Sequence, residues 1–253
     1  MIKHILTYFI IFYSLNHTYA QYNETIRTGR PGQGVRSFAV GKRVLQMQTG
    51  YDVGSNIKDN NYQFSNVNTN IRYGVLERLE INSAWAYQTE KLISQKLSGL
   101  TLSTLGTRLH ILNPTKMLPS ICIQISAKLP FRTGDYSAKN IDIKSLLSLT
   151  KNFGDNSSLL INLVHNQSNN TKINSWNYVI NYGYNISEKW GVFIENYANF
   201  TKNHFVNYWD TGFSYLVNKN LQLDAFGGTS LNKSESDFFI SIGFSGRIVS
   251  LRK

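Results

Sequence analysis

The stretch 176–186, WNYVINYGYNI, alternates between apolar and polar residues at every position except Val179. Its two sets are Trp176, Tyr178, Ile180, Tyr182, Tyr184 and Ile186 against Asn177, Asn181, Gly183 and Asn185. Successive side chains of a β-strand point to opposite faces, so this pattern predicts a strand with one apolar and one polar face. About 9–11 residues also suffice for a tilted strand to cross a bilayer.

The same period of two recurs on both sides of this stretch, in segments of about ten residues. The clear examples are 45–53, 67–75, 79–87, 105–111, 121–129, 209–215, 221–224 and 238–248. Three weaker segments complete the series. Residues 141–151 and 158–166 carry apolar side chains on both faces, and 190–200 places Asn196 among its apolar set. The pattern therefore predicts twelve strands.

The predicted connections alternate in length as well. The odd-numbered ones are longer, at 54–65, 89–100, 130–140, 167–174, 201–206 and 231–236, and the even-numbered ones are mostly tight. A soluble sandwich or barrel and a membrane barrel both fit many half-apolar strands. Strand length and the even count favour an all-β, antiparallel up-and-down transmembrane barrel with short periplasmic turns and longer extracellular loops.

Charged residues within the predicted strands fall almost entirely on the polar face. As lumen-lining candidates we take Arg72, Glu80, Arg108, Lys128, Lys144, Glu195, Asp210, Asp224 and Arg247. Two interpretations stay open for these side chains. They fill the barrel as structural ion pairs, or opposed acidic and basic walls create a transverse field that orients polar solutes.

The four tryptophans lie near the ends of their predicted strands. Trp85, Trp176 and Trp209 are at long-loop ends, and Trp190 is at a short-turn end. Aromatic girdles of membrane barrels occupy such positions, where the ring lies at the level of the lipid headgroups. The alternative is a set of ordinary core aromatics in a sandwich.

The N-terminus predicts export. Lys3, the apolar stretch 5–15 and Ala20 have the order of a secretory signal peptide, which assigns residues 1–20 to the signal and the mature chain to the bacterial outer membrane. Residues 43–253 then form the barrel. The Gly- and Pro-containing segment 21–42 precedes the first strand, either as a periplasmic tether or as a plug inside the lumen, and we favour the periplasmic tether.

Several function classes are disfavoured by composition. A net charge of +11 suggests nucleic acid, but the sequence has no concentrated basic stripe. Cys122 is isolated and the histidines are far apart, so we expect no metal site, no cofactor and no catalytic residue. His110 could form half of a Ser-His dyad in a lipid-modifying enzyme, yet nothing in the sequence places a serine and an acid beside it.

Short motifs point to a family. They are 26–33 (IRTGRPGQ), 44–50 (VLQMQTG), 70–75 (NIRYGV), 193–197 (FIENY) and 210–212 (DTG). Their order resembles that of outer-membrane transporters named after the MetA pathway of phenol degradation. The resemblance implies a porin-like barrel that passes aromatic or other small hydrophobic compounds. The chain departs from the usual aromatic ending of outer-membrane proteins, since Phe244 is the aromatic residue nearest the C-terminus.

We therefore expect a channel for passive passage of small molecules, with outer-membrane lipid, a small-molecule permeant and the barrel-assembly machinery as partners. Two alternatives stay open. One is a structural or surface-interaction barrel with a closed lumen, and the other is the lipid-modifying enzyme.

Overall fold

The computed structural model describes residues 24–56, 62–202, 204–230 and 237–249, so the signal peptide predicted at residues 1–20 lies outside the described residues. The described residues form twelve strands and one 3₁₀ turn, Gly134–Tyr136. The strands are β1 (Val44–Asn56), β2 (Tyr62–Gly74), β3 (Leu79–Leu92), β4 (Lys96–Leu112), β5 (Ser120–Lys128), β6 (Asp142–Phe153), β7 (Ser157–Gln167), β8 (Asn174–Asn185), β9 (Trp190–Phe200), β10 (Phe205–Asn218), β11 (Leu221–Ser230) and β12 (Asp237–Val249). In this part of the chain, no helix has the length and apolar composition to cross a membrane.

Each strand pairs antiparallel with its neighbours in sequence, and β1 pairs with β12 to close the sheet. The β1–β12 ladder runs from Val44 opposite Val249 to Asn56 opposite Asp237. Closure leaves no strand edge unpaired, which removes the hydrogen-bonding groups that an open edge would expose. The all-β, antiparallel up-and-down barrel with twelve strands is thereby confirmed.

The faces of this barrel are inverted relative to those of a water-soluble protein. Large apolar side chains cover the outside, where Ile194 is 48% exposed and Tyr182 is 46% exposed. Polar and charged side chains fill the inside, where Glu195 is 0% exposed and Asp210 is 2% exposed. A soluble sandwich would bury the apolar face between two sheets, so the closed barrel excludes that alternative.

The connections at the two ends of the barrel differ less in length than the sequence predicts. We call the rim where β1 begins and β12 ends the proximal rim, and the opposite one the distal rim. The predicted link 89–100 is mostly strand, because Thr89 still pairs with Ser98 and Lys91 with Lys96. β4 consequently has 17 residues. Cross-strand pairing continues there although the apolar alternation has stopped. Among the described connections, 129–141 is a long distal loop.

Residues 24–42 lie inside the barrel, so the favoured interpretation of 21–42 as a periplasmic tether is wrong for this part of the segment. Val35 N–H donates to Asn162 Oδ1 at 2.7 Å, and Val40 N–H donates to Glu80 Oε2 at 2.9 Å. Both acceptors belong to inward-facing side chains. The physical reason is that an extended segment must satisfy its backbone donors and acceptors, and the polar inner wall offers partners for them. We call residues 24–42 the inner segment.

The inner segment also explains why two predicted strands are apolar on both faces. Leu146 of β6 and Leu160 and Val164 of β7 face inward and are buried. A Cβ on Gly34 of the inner segment would meet Leu160 Cδ2, so the segment lies directly against this wall. These apolar residues form a small inner core under the segment, while the outward apolar residues of the same strands cover the barrel.

Candidate functional site

The inner segment follows the barrel wall around most of its circumference. It begins near β10–β12, where Ile26 N–H donates to Lys219 O at 2.8 Å. It then passes β9, β7, β6, β4 and β3 before it joins β1 at Val44. The contacts lie mostly in the proximal half of the lumen. The lumen is therefore narrowed by a strip of backbone held against its wall.

Arg30 and Asp224 form the first anchor of the inner segment. Arg30 Nη2 lies 2.9 Å from Asp224 Oδ1 and also donates to Ser241 Oγ at 2.9 Å. The guanidinium stacks over the Phe226 ring at 5.3 Å. Both members of this ion pair are buried, with 9% and 0% of their side chains exposed. Such a pair is costly to break, because the partner left behind is an uncompensated buried charge.

Glu195 forms the second anchor through two consecutive backbone donors. Gln33 N–H donates to Oε1 at 2.7 Å, and Gly34 N–H donates to Oε2 at 3.1 Å. Asn181 Nδ2 donates to Oε2 at 2.9 Å. Hydrogen bonds to a charged acceptor are about twice as strong as neutral ones. One buried carboxylate thus holds the middle of the segment on β9.

Glu80 forms the third anchor together with two arginines. Arg72 donates to both Glu80 oxygens, from Nε at 2.8 Å and from Nη2 at 2.7 Å. Arg108 Nη1 lies 3.5 Å from Oε1. The Phe38 carbonyl accepts from Arg72 at 3.0 Å and from Arg108 at 3.4 Å, and Val40 N–H reaches the carboxylate. This ion cluster therefore binds the end of the segment as well as filling the barrel.

The nine lumen candidates all lie on the inner side of the strands and divide into two groups. Six contact the inner segment or its anchors: Arg72, Glu80, Arg108, Glu195, Asp224 and Arg247, the last through a hydrogen bond to the Glu24 carbonyl. The other three form no hydrogen bond or ion pair with the inner segment: Lys128, Lys144 and Asp210, of which Asp210 lies opposite the anchor Glu195 on the neighbouring strand. Four of the first group form inward ion pairs, Arg72 and Arg108 with Glu80 and Asp224 with Arg30. A role in solute passage stays a prediction for all nine.

Lys128 and Lys144 lie toward the distal rim, whereas Asp210 lies at the level of the Glu195 anchor. Lys128 and Lys144 are half-buried on β5 and β6, near the Arg132–Asp142 ion pair of 3.2 Å. Asp210 lies on β10, beside Glu195, and neither of its carboxylate oxygens has a hydrogen-bond partner within the described chain. Asp142 lies opposite Lys128 on the same wall as the two lysines, and a transverse field that orients solutes stays a prediction.

His110 does not form a Ser-His dyad within the described residues. Its Nδ1 lies 2.7 Å from the Ser37 carbonyl, its Nε2 lies 2.8 Å from Asn113 Oδ1, and its ring stacks on Phe38 at 6.0 Å. Both ring nitrogens therefore contact oxygens that are not hydroxyls. Cys122 is buried on the inner side of β5. Residues 24–56, 62–202, 204–230 and 237–249 contain no group of three or more His, Cys, Asp and Glu that could hold a metal ion.

The four tryptophans all face outward and are 39–49% exposed. Trp190 lies at the proximal end of β9 and packs against Tyr215, with ring centroids 4.7 Å apart. Trp85 lies at the middle of β3 rather than at its end, because β3 continues to Leu92. Its Nε1 donates to Ser83 Oγ at 2.8 Å. The girdle assignment stays a prediction.

The inner segment leaves a cavity of about 480 Å³ at the proximal rim. Arg27, Arg36 and Phe38 of the segment line one side, and Asn181 and Phe193 line the wall. Burial lowers the pKa of the Arg36 guanidinium, and the nearby positive charge of Arg27 lowers it further. The two arginines are therefore close enough to repel each other within this cavity.

Both the sequence and the fold are similar to those of known proteins. Residues 28–248 match the model of the family described as the MetA-pathway of phenol degradation. The chain belongs to this family. No curated protein matches the chain significantly.

Solved structures share the barrel of this MetA-pathway family member. An outer membrane channel from Pseudomonas putida F1 is 10% identical, with a TM-score of 0.68 over 86% of this chain and 99% of that chain. The NanC porin is 9% identical, with a TM-score of 0.58 over 81% and 100%. The CymD monoaromatic hydrocarbon channel is 9% identical, with a TM-score of 0.50 over 83% and 90%. These likenesses show a shared fold.

The alternating sequence pattern did not identify the functional residues of the inner segment in this family member. Arg30, Gln33 and Gly34 hold the segment against the wall, and Arg27 and Arg36 face the proximal cavity. None belongs to an alternating pattern. Two features of the sequence indicate that a segment of the chain occupies the interior of the barrel. They are the inward apolar residues of 141–151 and 158–166, and the three arginines that stand among the glycines of 27–36.

Proposed function

We propose that the chain is an outer-membrane channel for passive passage of small molecules, and that the inner segment forms its narrowest part. The observation that carries this proposal is the inverted barrel, with large apolar side chains outside and buried charges inside. A lipid-facing exterior and a polar lumen are the properties of bacterial outer-membrane barrels. The fold shared with outer membrane channels and porins supports it.

The permeant class that we propose is small and uncharged or weakly charged, including aromatic compounds. Membership of the MetA-pathway family supports this choice, and so does the fold shared with the monoaromatic hydrocarbon channel. The lumen offers an aromatic path on β9–β12, because the Phe226 ring contacts Phe193 with centroids 6.1 Å apart and Phe239 with centroids 5.7 Å apart. Large hydrated solutes would have to displace the inner segment.

Three buried carboxylates hold the inner segment in place, and this observation favours a second candidate function. If the anchors never release, the protein is a structural or surface-interaction barrel whose loops carry the activity. We infer a channel because the proximal cavity already opens a space of about 480 Å³ beside the segment. A lipid-modifying enzyme is less well supported, since His110 contacts a backbone carbonyl and an amide.

Planar-bilayer conductance of the purified barrel tests the proposal, with vesicle swelling in a monosaccharide or phenylalanine as the second measurement. We expect small, fluctuating single-channel currents and swelling faster than that of empty vesicles. A barrel that inserts but passes neither ions nor solutes would overturn the channel and support the closed barrel. Hydrolysis of a lipid substrate that is lost in His110→Ala would instead support the enzyme.

A further inference from the structure

Arg27 and Arg36 are two cationic side chains of the inner segment. Neither guanidinium donates a hydrogen bond or forms an ion pair in the part of the chain that the structure describes, whereas Arg30, Arg72 and Arg108 all do. Both line the proximal cavity. Arg36 is half-buried, whereas Arg27 is exposed to the cavity and its guanidinium lies over the Phe38 ring at 4.4 Å. Partly buried charges such as that of Arg36 are normally paired. Two unpaired guanidinium groups at one cavity therefore indicate that an anion belongs there.

The carboxylates near this cavity do not supply that anion. Glu195 is close enough to raise the pKa of Arg36, but it forms no ion pair with Arg36 within the described residues, and its oxygens accept hydrogen bonds from Gln33, Gly34 and Asn181. Its single negative charge offsets only part of the positive charge of the two arginines. Asp155 and Glu188 lie on exposed turns at the mouth, where Lys189 also lies. Water screens these exposed charges strongly. The two arginines thus keep a net attraction for an anionic ligand.

We propose that the proximal cavity binds a small aromatic monocarboxylate, which the channel passes or releases at this end. The arginine fork matches the planar carboxylate and donates two parallel hydrogen bonds to it. The side chains of Asn156 and Ser158 also line the cavity and can donate further hydrogen bonds. Phe38 and Phe193 line it as well. The Phe38 ring already carries the Arg27 guanidinium and the His110 ring, so Phe193 offers the apolar surface that favours a ring over a free phosphate. A volume of about 480 Å³ is within the ordinary range for small-molecule sites, about 300–1,000 Å³.

This proposal rests on the proposed function, because a ligand reaches the cavity either from the lumen or from the proximal side of the membrane. The site would mark the end of the path for an aromatic compound that carries a carboxylate. Attraction of such an anion to the mouth also raises its local concentration there. The channel would then prefer aromatic acids to neutral or cationic compounds of the same size.

Benzoate binding to the purified full-length barrel in detergent tests the site, by isothermal titration calorimetry. Benzylammonium and benzyl alcohol serve as cationic and neutral ligands of similar size, and inorganic phosphate tests for a site that only recognises anions. We expect benzoate to bind and the other ligands to bind at least about tenfold more weakly, because the neutral and cationic ligands cannot accept charge-assisted hydrogen bonds from the guanidinium groups and phosphate has no ring to pack on Phe193. Equal binding of benzoate and benzyl alcohol, or tighter binding of phosphate than benzoate, would overturn the proposal.

Substitutions test whether the two arginines themselves bind benzoate. Arg27→Gln and Arg36→Gln should each weaken benzoate binding about tenfold or more, and the double variant should abolish it. The matched control is Arg78→Gln, which removes an arginine from the proximal β2–β3 connection outside the cavity. Unchanged migration of each variant on an unboiled detergent gel establishes folding. Benzoate affinity that survives the double variant would contradict the site.

Bilayer currents distinguish failure of this site from failure of the channel. With sodium benzoate on one side and sodium chloride on the other, we expect benzoate to slow the chloride current from the proximal side, and the double variant to lose this block. Benzoate binding without any current would support the site and overturn the channel. Current with no block and no calorimetric binding would overturn the site and leave the channel standing.

Discussion

At the scale of single residues, two glycines decide where the inner segment can dock. Gly50 of β1 and Gly243 of β12 are paired across the sheet. A Cβ at either position would overlap the Arg30 guanidinium. Together they form the slot through which Arg30 reaches Asp224. Absence of side chains at these two positions is therefore as important for docking as the ion pair itself.

Gly50→Ala should open the channel without disturbing the barrel. The nearest atoms to the new methyl group all belong to the Arg30 guanidinium, so the side chain of Arg30 must leave its slot. We expect a higher mean conductance and longer open times in planar bilayers. Gly246→Ala is the control on β12, since a Cβ there meets no atom within 4 Å. Equal currents from both variants would argue against the slot.

The Arg30–Asp224 ion pair should account for much of the free energy that docks the inner segment. Removing one member leaves a buried charge, at a cost of about 3–5 kcal/mol, and removing both costs less than the sum. We expect Arg30→Gln or Asp224→Asn to speed trypsin cleavage after Arg36 by two orders of magnitude or more, and the double variant to be cleaved more slowly than either single one. Additive effects of the two substitutions would show that the pair is not coupled.

At the scale of elements, the twelve strands were predictable and the inner segment was not. A strand of this barrel lies between lipid and a polar lumen, so the polarity of a side chain predicts the face on which it lies. In β8, for example, Tyr178 and Tyr182 face outward and Asn181 faces inward. The inner segment docks largely through backbone groups, such as the N–H groups of Gln33 and Gly34 on Glu195. Backbone groups are the same in every residue, and the sequence therefore carries little trace of this docking.

The candidate site was predictable only as a set of inward charges. Alternation correctly placed Glu80, Glu195 and Asp224 on the inner face, because a charge on the lipid face is costly. It could not tell that these carboxylates hold the inner segment while Lys128 and Lys144 contact neither the segment nor its anchors. That distinction depends on how a segment 40–194 residues away in sequence folds back into the barrel.

Replacing residues 28–40 by a glycine–serine sequence of the same length should convert the narrow channel into a wider one. The new segment keeps its length but has no Arg30 and no ordered backbone on Glu195, so it gains little from docking. The strand pairing does not involve these residues, and we expect the barrel to insert normally. Single-channel conductance should rise several-fold, and vesicle swelling should extend to larger sugars. Unchanged conductance would mean that the narrowest point lies elsewhere in the lumen.

At the scale of the whole molecule, one closed sheet separates two solvents. Its outer face bears large apolar side chains, and its inner face bears the charges and the inner segment. Each strand contributes to both faces because its side chains alternate. One layer of backbone thus separates the lipid from the polar lumen, and the barrel lacks the large apolar core that stabilises a soluble domain. A test of this arrangement must change one face alone.

Ile194→Arg, in the middle of β9, changes the outer face of the barrel alone. Ile194 faces outward and is 48% exposed; in a soluble protein, an exposed substitution of this kind usually changes stability by about 0.5 kcal/mol or less. In a bilayer, arginine at the midplane of a barrel costs about 2–4 kcal/mol, falling to about 0–1 kcal/mol near the interface. We therefore expect the free energy of unfolding in lipid vesicles to fall by this larger amount. Ile186→Arg, in the proximal connection between β8 and β9, is the control and should cost little. Equal, small effects at both positions would mean that water, not lipid, surrounds the barrel.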